Sequence, residues 1–164
     1  MNITLIGMPG AGKSTIGVLL AKSMLMDFVD TDLLIQRKYG MSLCGFIEKY
    51  GEEEFKKAEN DVISSLNCEN TVIATGGSAV YGEEGMKHLC EISSVVYLSV
   101  PVECLNERLS NITTRGVVMK KGETVEALFN RRAPLYEKYA QLTVDCSLLK
   151  AEECVDAIID RLKK

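Results

Sequence analysis

The 164-residue chain is 46% hydrophobic and 26% charged, with a formal charge of −4. That length suits one domain with a substantial core, and the negative balance argues against a general nucleic-acid surface while allowing a local basic pocket. No apolar run approaches the ~20 residues that span a bilayer, and the opening MNITLI has no basic n-region, so a soluble cytoplasmic protein is expected.

In chain order, NITLI reads as a buried strand, KSTIGVLLAKSML as a helix, DFVD as a second strand, and the next stretch as a long polar helical region. TVIAT, SVVYLSV and LTVDC are three further strands. They alternate with the helical segments GEEGMKHLCEI, PVECLNERLS, ETVEALFNRRAPLYEKYA and AEECVDAIIDRLKK. Strands apolar almost throughout, separated by helices, predict an α/β fold with a parallel sheet covered on both faces. The five strands fall at about 2–6, 27–30, 71–75, 94–99 and 142–145, and residues 1–164 form a single domain.

Cys154, Ala157, Ile158 and Leu162 recur near helical spacing, so the last helix should pack on the sheet. Gly40, Gly51, Gly82 and Gly85 are expected at turns or caps. The six cysteines contain no C-x-x-C pair, which favours reduced, packed thiols over disulfides or zinc. The lone His88, in GMKHLCEI, is expected on a helix surface without a catalytic role.

Gly7, Gly12, Lys13 and Ser14 satisfy G-x-x-x-x-G-K-[ST] between a strand and a helix, the setting of a phosphate-binding loop. Backbone N–H groups of Gly10, Ala11 and Gly12 at a helix N-terminus would cradle phosphate oxygens, and Lys13 would neutralise the β- and γ-phosphates of ATP. Ser14 offers a hydroxyl to Mg²⁺, and Thr15 supports the helix start beside the nucleotide. A glycine-rich turn that merely caps a helix is the bland alternative. The loop alone does not separate kinase from hydrolase or switch.

The acceptor side begins at FVDTDLLIQRKYG, where Asp30 and Asp32, two residues apart on extended chain, would project together at the carboxyl edge of the sheet. Either one could instead simply cap the helix that follows. With GMPGAGKST, VDTD, FKKAE at 55–59, ATGGS at 74–78, LNERLSN at 105–111, Arg115 and RAPLYEKYA at 132–140, the chain resembles a shikimate kinase along essentially its whole length. The resemblance implies a three-layer P-loop kinase fold with strand order 2-3-1-4-5, a substrate-binding helical region at about 31–66 and a lid at about 110–122. It also implies ATP and Mg²⁺ as cofactors and a small hydroxylated carboxylate as substrate, without nucleic-acid or membrane partners, and it is compatible with a monomer.

Carried over by position, Asp30 would hold Mg²⁺ through water together with Ser14, and Asp32 would bind the acceptor hydroxyl and take its proton. Gly76 and Gly77 would offer backbone donors and Arg132 a planar fork for the substrate carboxylate. Arg115 would stabilise the transferring phosphoryl group, and Arg108 would lie over the adenine. Arg131, beside Arg132, is the candidate for a purely structural pairing.

Three positions depart from the family pattern. Lys56 stands where F-R-x-x-E has arginine, Ser78 replaces the third of three glycines, and Gly116 follows Arg115 where proline is usual. Lys56 keeps charge but loses bidentate geometry. Ser78 would crowd the acceptor or contact a different one, and Gly116 would loosen the lid. The expected activity is ATP-dependent phosphorylation of shikimate. The alternatives are a kinase for another polyol or hydroxy acid such as gluconate, or a non-catalytic nucleotide-binding regulator.

Overall fold

A computed structural model describes residues 1–109 and 119–164. Its five strands are β1 (Ile3–Ile6), β2 (Asp27–Asp30), β3 (Thr71–Ala74), β4 (Ser94–Ser99) and β5 (Leu142–Asp145). They form one sheet in the order β2-β3-β1-β4-β5, every neighbouring pair parallel. Burial follows position in that order. The central β1 and β3 are buried at every residue, whereas the edge strands β2 and β5 are partly open. A central parallel strand has helices over both faces and is therefore mostly apolar, as in ITLI and TVIA, whose buried Thr4 and Thr71 hydroxyls bond the Ser93 hydroxyl and Glu69 O.

The helices are α1 (Lys13–Met24), α2 (Thr31–Tyr39), α3 (Leu43–Tyr50), α4 (Glu52–Ser64), α5 (Glu83–Ile92), α6 (Val102–Leu109), α7 (Val125–Tyr139) and α8 (Ala151–Leu162), with a 3₁₀ turn at Ala79–Tyr81. Helices α1 and α8 pack on each other, α1 also on β2 and β3, while α5 and α7 lie against β4. The approach of α1 to β2 is close enough that a Cβ on Gly17 would stand 2.6 Å from the Phe28 ring. In α8, Cys154, Val155 and Ile158 are buried and Ala157 and Leu162 half-buried, as the helical spacing predicts.

The first and third strands are each shorter than expected, and the flanking Asn2 and Thr75 add side-chain hydrogen bonds to the backbone pairing at their ends. Asn2 donates to the carbonyls of Cys68 and Ile92 and accepts the Thr71 N–H, tying three chain segments at the sheet's lower edge. Thr75 reaches Leu5 O with both its backbone N–H and its hydroxyl. Gly40 and Gly51 end α2 and α3 with positive φ, and Gly82 caps α5. Gly85 departs from expectation and lies inside α5, where α4 packs so closely that an added Cβ would meet Ile63 Cγ2 at 3.0 Å. His88 on α5 bonds Leu66 O at 2.7 Å, a structural contact.

The polar region after β2 resolves into α2, α3 and α4 around a separate small core of Ile35, Leu43, Phe46, Phe55, Ala58 and Val62. Phe46 is its hub, with the rings of Tyr39, Tyr50 and Phe55 at 5.0, 4.9 and 5.9 Å. This three-helix unit stands over the carboxyl ends of β2 and β3. The strand order reverses beside β1, which places a crevice at the end of β1 where parallel sheets bind ligands.

Candidate active site

The loop between β1 and α1 is shaped for an anion. Gly10 and Gly12 have φ of +80° and +92°, a left-handed backbone that glycine adopts without strain. Gly12 is the N-cap of α1, no side chain caps that end, and its first turn holds no acidic residue. The helix N-terminus therefore presents N–H groups and the positive end of its dipole outward. Lys13 folds back beneath the loop and donates to the carbonyls of Gly7 at 2.7 Å and Met8 at 2.8 Å. Burial lowers its pKa to about 8, opposed chiefly by the negative charge of Asp32. A phosphate in the loop would reverse that shift by supplying the missing counter-charge. Ser14 and Thr15 are exposed in the first turn of α1.

On one flank, Arg108 at the end of α6 donates to Gly10 O at 3.1 Å, which sets its guanidinium over the loop. On the other, Asp30 ends β2 and serves two partners. Its Oδ2 accepts the Ser14 hydroxyl at 2.7 Å, and its Oδ1 accepts the Asp32 N–H at 2.9 Å. Asp30 is thus an N-cap and a neighbour of the phosphate loop at once, which joins the two readings that sequence had set against each other. The expected extended i, i+2 pair is corrected: the chain turns into α2 at Thr31, so Asp32 lies in the first helical turn. Burial, and then the charge of Asp30, raise the Asp32 pKa to about 6, with Lys13 opposing.

Asp32 faces the loop after β3. An added Cβ on Gly76 would stand 2.8 Å from Asp32 Oδ1 and 2.7 Å from Glu59 Oε1. One on Gly77 would stand 2.8 Å from both Arg132 and Pro9. These glycines are required by close approach: two carboxylates and a guanidinium converge on bare backbone. The Tyr136 hydroxyl holds Gly77 O at 2.7 Å and lies 3.9 Å from Met8 Sδ, linking this loop to the phosphate loop.

Ser78 does not crowd that surface. Its side chain is buried and its hydroxyl donates to Glu59 Oε2 at 2.6 Å. Glu59, 1% exposed, has its other oxygen buried without a hydrogen-bond partner among the described residues. Burial raises its pKa to about 7, against the lowering effect of the Ser78 bond. Sequence reading quoted Glu59 within FKKAE but gave it no part in the site. Its place in that motif, three residues after Lys56, was the available signal.

The two adjacent arginines separate cleanly. Arg131 pairs with Glu123 at 3.1 Å, the structural role foreseen for it. Arg132, 1% exposed, donates from Nε to the Tyr81 hydroxyl at 3.2 Å. Lys56 pairs with Glu53 at 3.3 Å and lies 4.8 Å from the centre of the Tyr81 ring. Tyr81 and Tyr136 were not singled out by sequence reasoning, since neither spacing nor charge marks them. Arg115, Gly116 and most of the expected lid lie outside the described residues.

The arrangement brings a phosphate-binding loop with its lysine, a hydroxyl–carboxylate pair at Ser14 and Asp30, a carboxylate of raised pKa at Asp32 and a buried arginine around one crevice. It can hold a polyphosphate on one side and a hydroxylated acid on the other. Among the described residues no group of three or more His, Cys, Asp or Glu could hold a metal ion. Mg²⁺ takes one or two protein oxygens and completes its shell with phosphate oxygens and water, a pattern that the Ser14 hydroxyl and Asp30 carboxylate could serve.

The family model described as shikimate kinase matches residues 9–163. A shikimate kinase of Francisella tularensis subsp. holarctica is 39% identical over 161 residues, covering 96% of this chain and 92% of the relative. One from Enterococcus faecalis is 33% identical over 166 residues, covering 99% of each. Among solved structures, shikimate kinase from Acinetobacter baumannii in complex with shikimate superposes with a TM-score of 0.90 at 31% identity, covering 99% of this chain and 92% of that one. The Aquifex aeolicus shikimate kinase gives 0.86 at 34% identity, covering 99% and 96%.

Proposed function

The chain belongs to the shikimate kinase family, and on that premise we propose that it transfers the γ-phosphoryl group of ATP to a hydroxyl of shikimate, giving shikimate 3-phosphate. The observation that carries this reading is the convergence of Asp32 with the glycine backbone that also meets Arg132, across the crevice from Lys13. Such a site pairs a base for a hydroxyl with a cation for a carboxylate.

In the proposed reaction Gly10, Ala11 and Gly12 hold phosphate oxygens through their N–H groups, and Lys13 exchanges its two carbonyl partners for the β- and γ-phosphates. Arg108 flanks the base of the nucleotide, and Thr15 completes the first turn beneath it. Ser14 and Asp30 would hold Mg²⁺, which withdraws charge from the phosphate oxygens when bound. Asp32 accepts the proton of the acceptor hydroxyl as that oxygen bonds to phosphorus and the bond to the ADP oxygen breaks. Arg115, on the lid at about 110–122, would face the transferring group. Arg132, Lys56 and the N–H groups of Gly76 and Gly77 orient the acceptor, while Ser78 acts on it through Glu59.

Among the described residues no helix is long and apolar enough to cross a membrane, in keeping with action in the cytoplasm on a small molecule. The decisive experiment is coupled ADP release with MgATP, with and without shikimate, with the product identified by mass. A parallel series with gluconate and other polyols compares kcat/KM, since specificity is a ratio. Shikimate-dependent turnover far above the others supports the reading. Nucleotide binding with no acceptor-dependent ADP from any of them would overturn it in favour of a regulatory role.

A further inference from the structure

Tyr81 ends the 3₁₀ turn that follows Gly76, Gly77 and Ser78, and three cations gather around its ring. Lys56 Nζ lies 4.8 Å from the ring centre, and the guanidinium carbons of Arg132 and Arg131 lie at 5.3 and 5.8 Å. All three fall within the range in which the negative face of an aromatic ring attracts a cation. Besides the ring, the phenol oxygen accepts Arg132 Nε at 3.2 Å.

These contacts differ in what they fix. Arg131, within α7, is committed at 3.1 Å to Glu123, which lies on the segment before that helix. Lys56 also meets Glu53, whose side chain is 83% exposed, and an ion pair in that setting contributes little. The half-buried Tyr81 ring gives the Lys56 ammonium a second neighbour, one that does not depend on that exposed carboxylate. For Arg132, the bond from Nε to the Tyr81 hydroxyl fixes the plane of the guanidinium, and with it the direction in which the terminal nitrogens face. One of these, Nη1, already stands against Gly77.

We propose that Tyr81 is a positioning residue for the acceptor's carboxylate, holding Lys56 and Arg132 on one platform so that both cations face it. This rests on the proposed shikimate reading and deepens it. It also accounts for Lys56 in place of arginine: a lysine ammonium has no fixed fork, and a π face beside it restricts where the charge can sit.

The test compares the parent enzyme with Tyr81→Leu and Tyr81→Phe, using shikimate and its methyl ester, which keeps the hydroxyls and lacks the negative charge. Turnover by the parent is measured first, so that failure of the functional reading, seen as no shikimate-dependent ADP, is distinct from failure of this one. For shikimate, Tyr81→Leu should raise KM by about 5- to 30-fold with kcat and the KM for ATP nearly unchanged, and Tyr81→Phe should raise it less. For the ester, parent and Tyr81→Leu should be nearly equal. Lys56→Met should raise the shikimate KM in the parent and hardly at all in the Tyr81→Leu background. Equal losses with acid and ester, or fully additive Lys56 and Tyr81 effects, overturn the proposal.

Discussion

Ser14 lies in the first turn of α1 and Asp30 closes β2, and the Ser14 hydroxyl donates to Asp30 Oδ2 at 2.7 Å. The other oxygen of the same carboxylate caps α2. Charge and cap can be separated by substitution, because asparagine is as good an N-cap as aspartate. Asp30→Asn should keep thermal stability within about 1 kcal/mol while raising the Mg²⁺ concentration for half-maximal rate by about 10-fold or more. Titration of Mg²⁺ at fixed ATP, beside a thermal melt, reads both. An unchanged Mg²⁺ midpoint removes Asp30 from the metal site.

Asp32 must be unprotonated to accept a proton, and its pKa is raised to about 6 by burial and then by Asp30. The kcat/KM of the enzyme should therefore fall as pH drops through about 6. Removing the neighbouring negative charge in Asp30→Asn should move that limb to lower pH. Asp32→Asn should lower kcat by about 10²- to 10⁴-fold while ADP affinity, measured by calorimetry, stays close to that of the parent. Full turnover in Asp32→Asn would take Asp32 out of the chemistry.

Glu59 titrates higher in the folded protein, at about 7, than the ordinary 4.5 of the unfolded chain. The folded state holds a proton that the unfolded state releases between those values, so the contribution of Glu59 to stability falls as pH rises through that window. Glu59→Gln should accordingly gain on the parent by about 2 kcal/mol between pH 5 and pH 8 in ligand-free unfolding curves. Ser78→Ala removes the bond that favours the ionised form and should steepen the loss above pH 7. Parallel curves for parent and Glu59→Gln across pH 5 to 8 would contradict the buried, proton-holding carboxyl.

Gly76→Ala places a Cβ 2.7 Å from Glu59 Oε1 and 2.8 Å from Asp32 Oδ1. Both are side-chain ends that can swing aside, so the damage should fall on catalysis more than on folding. We expect kcat/KM to fall by about 100-fold, since misplacing a reacting group by about 1 Å costs that much. The melting temperature should change modestly. A variant with parent-like kcat/KM would show that Asp32 does not work from this position.

The phosphate loop and the strands were legible because their signals are local. Apolar runs of strand length mark β1 and β3, and Gly10, Gly12 and Lys13 act within a few residues of one another. The i, i+2 spacing of Asp30 and Asp32 located the acceptor side but misjudged its geometry, because a cap that ends a strand and begins a helix interrupts the extended pattern. Gly85 misled for a related reason. Composition marks a glycine as a turn, and only the approach of Ile63 on α4 shows why it sits within α5.

By itself the sequence determined the order of strands and helices, the anion-binding loop, its lysine and hydroxyl, and two carboxylates at the end of the second strand. Those features depend on backbone preferences and spacings of a few residues. The tertiary structure decided where side chains go across long separations. It turned Ser78 onto Glu59, 19 residues away, gave Arg131 to Glu123 and Arg132 to Tyr81, and brought Tyr136 to Gly77, 59 residues apart in sequence. Neighbouring residues of one type share the same local signals, so only packing against the rest of the chain tells which becomes a strut and which enters the site.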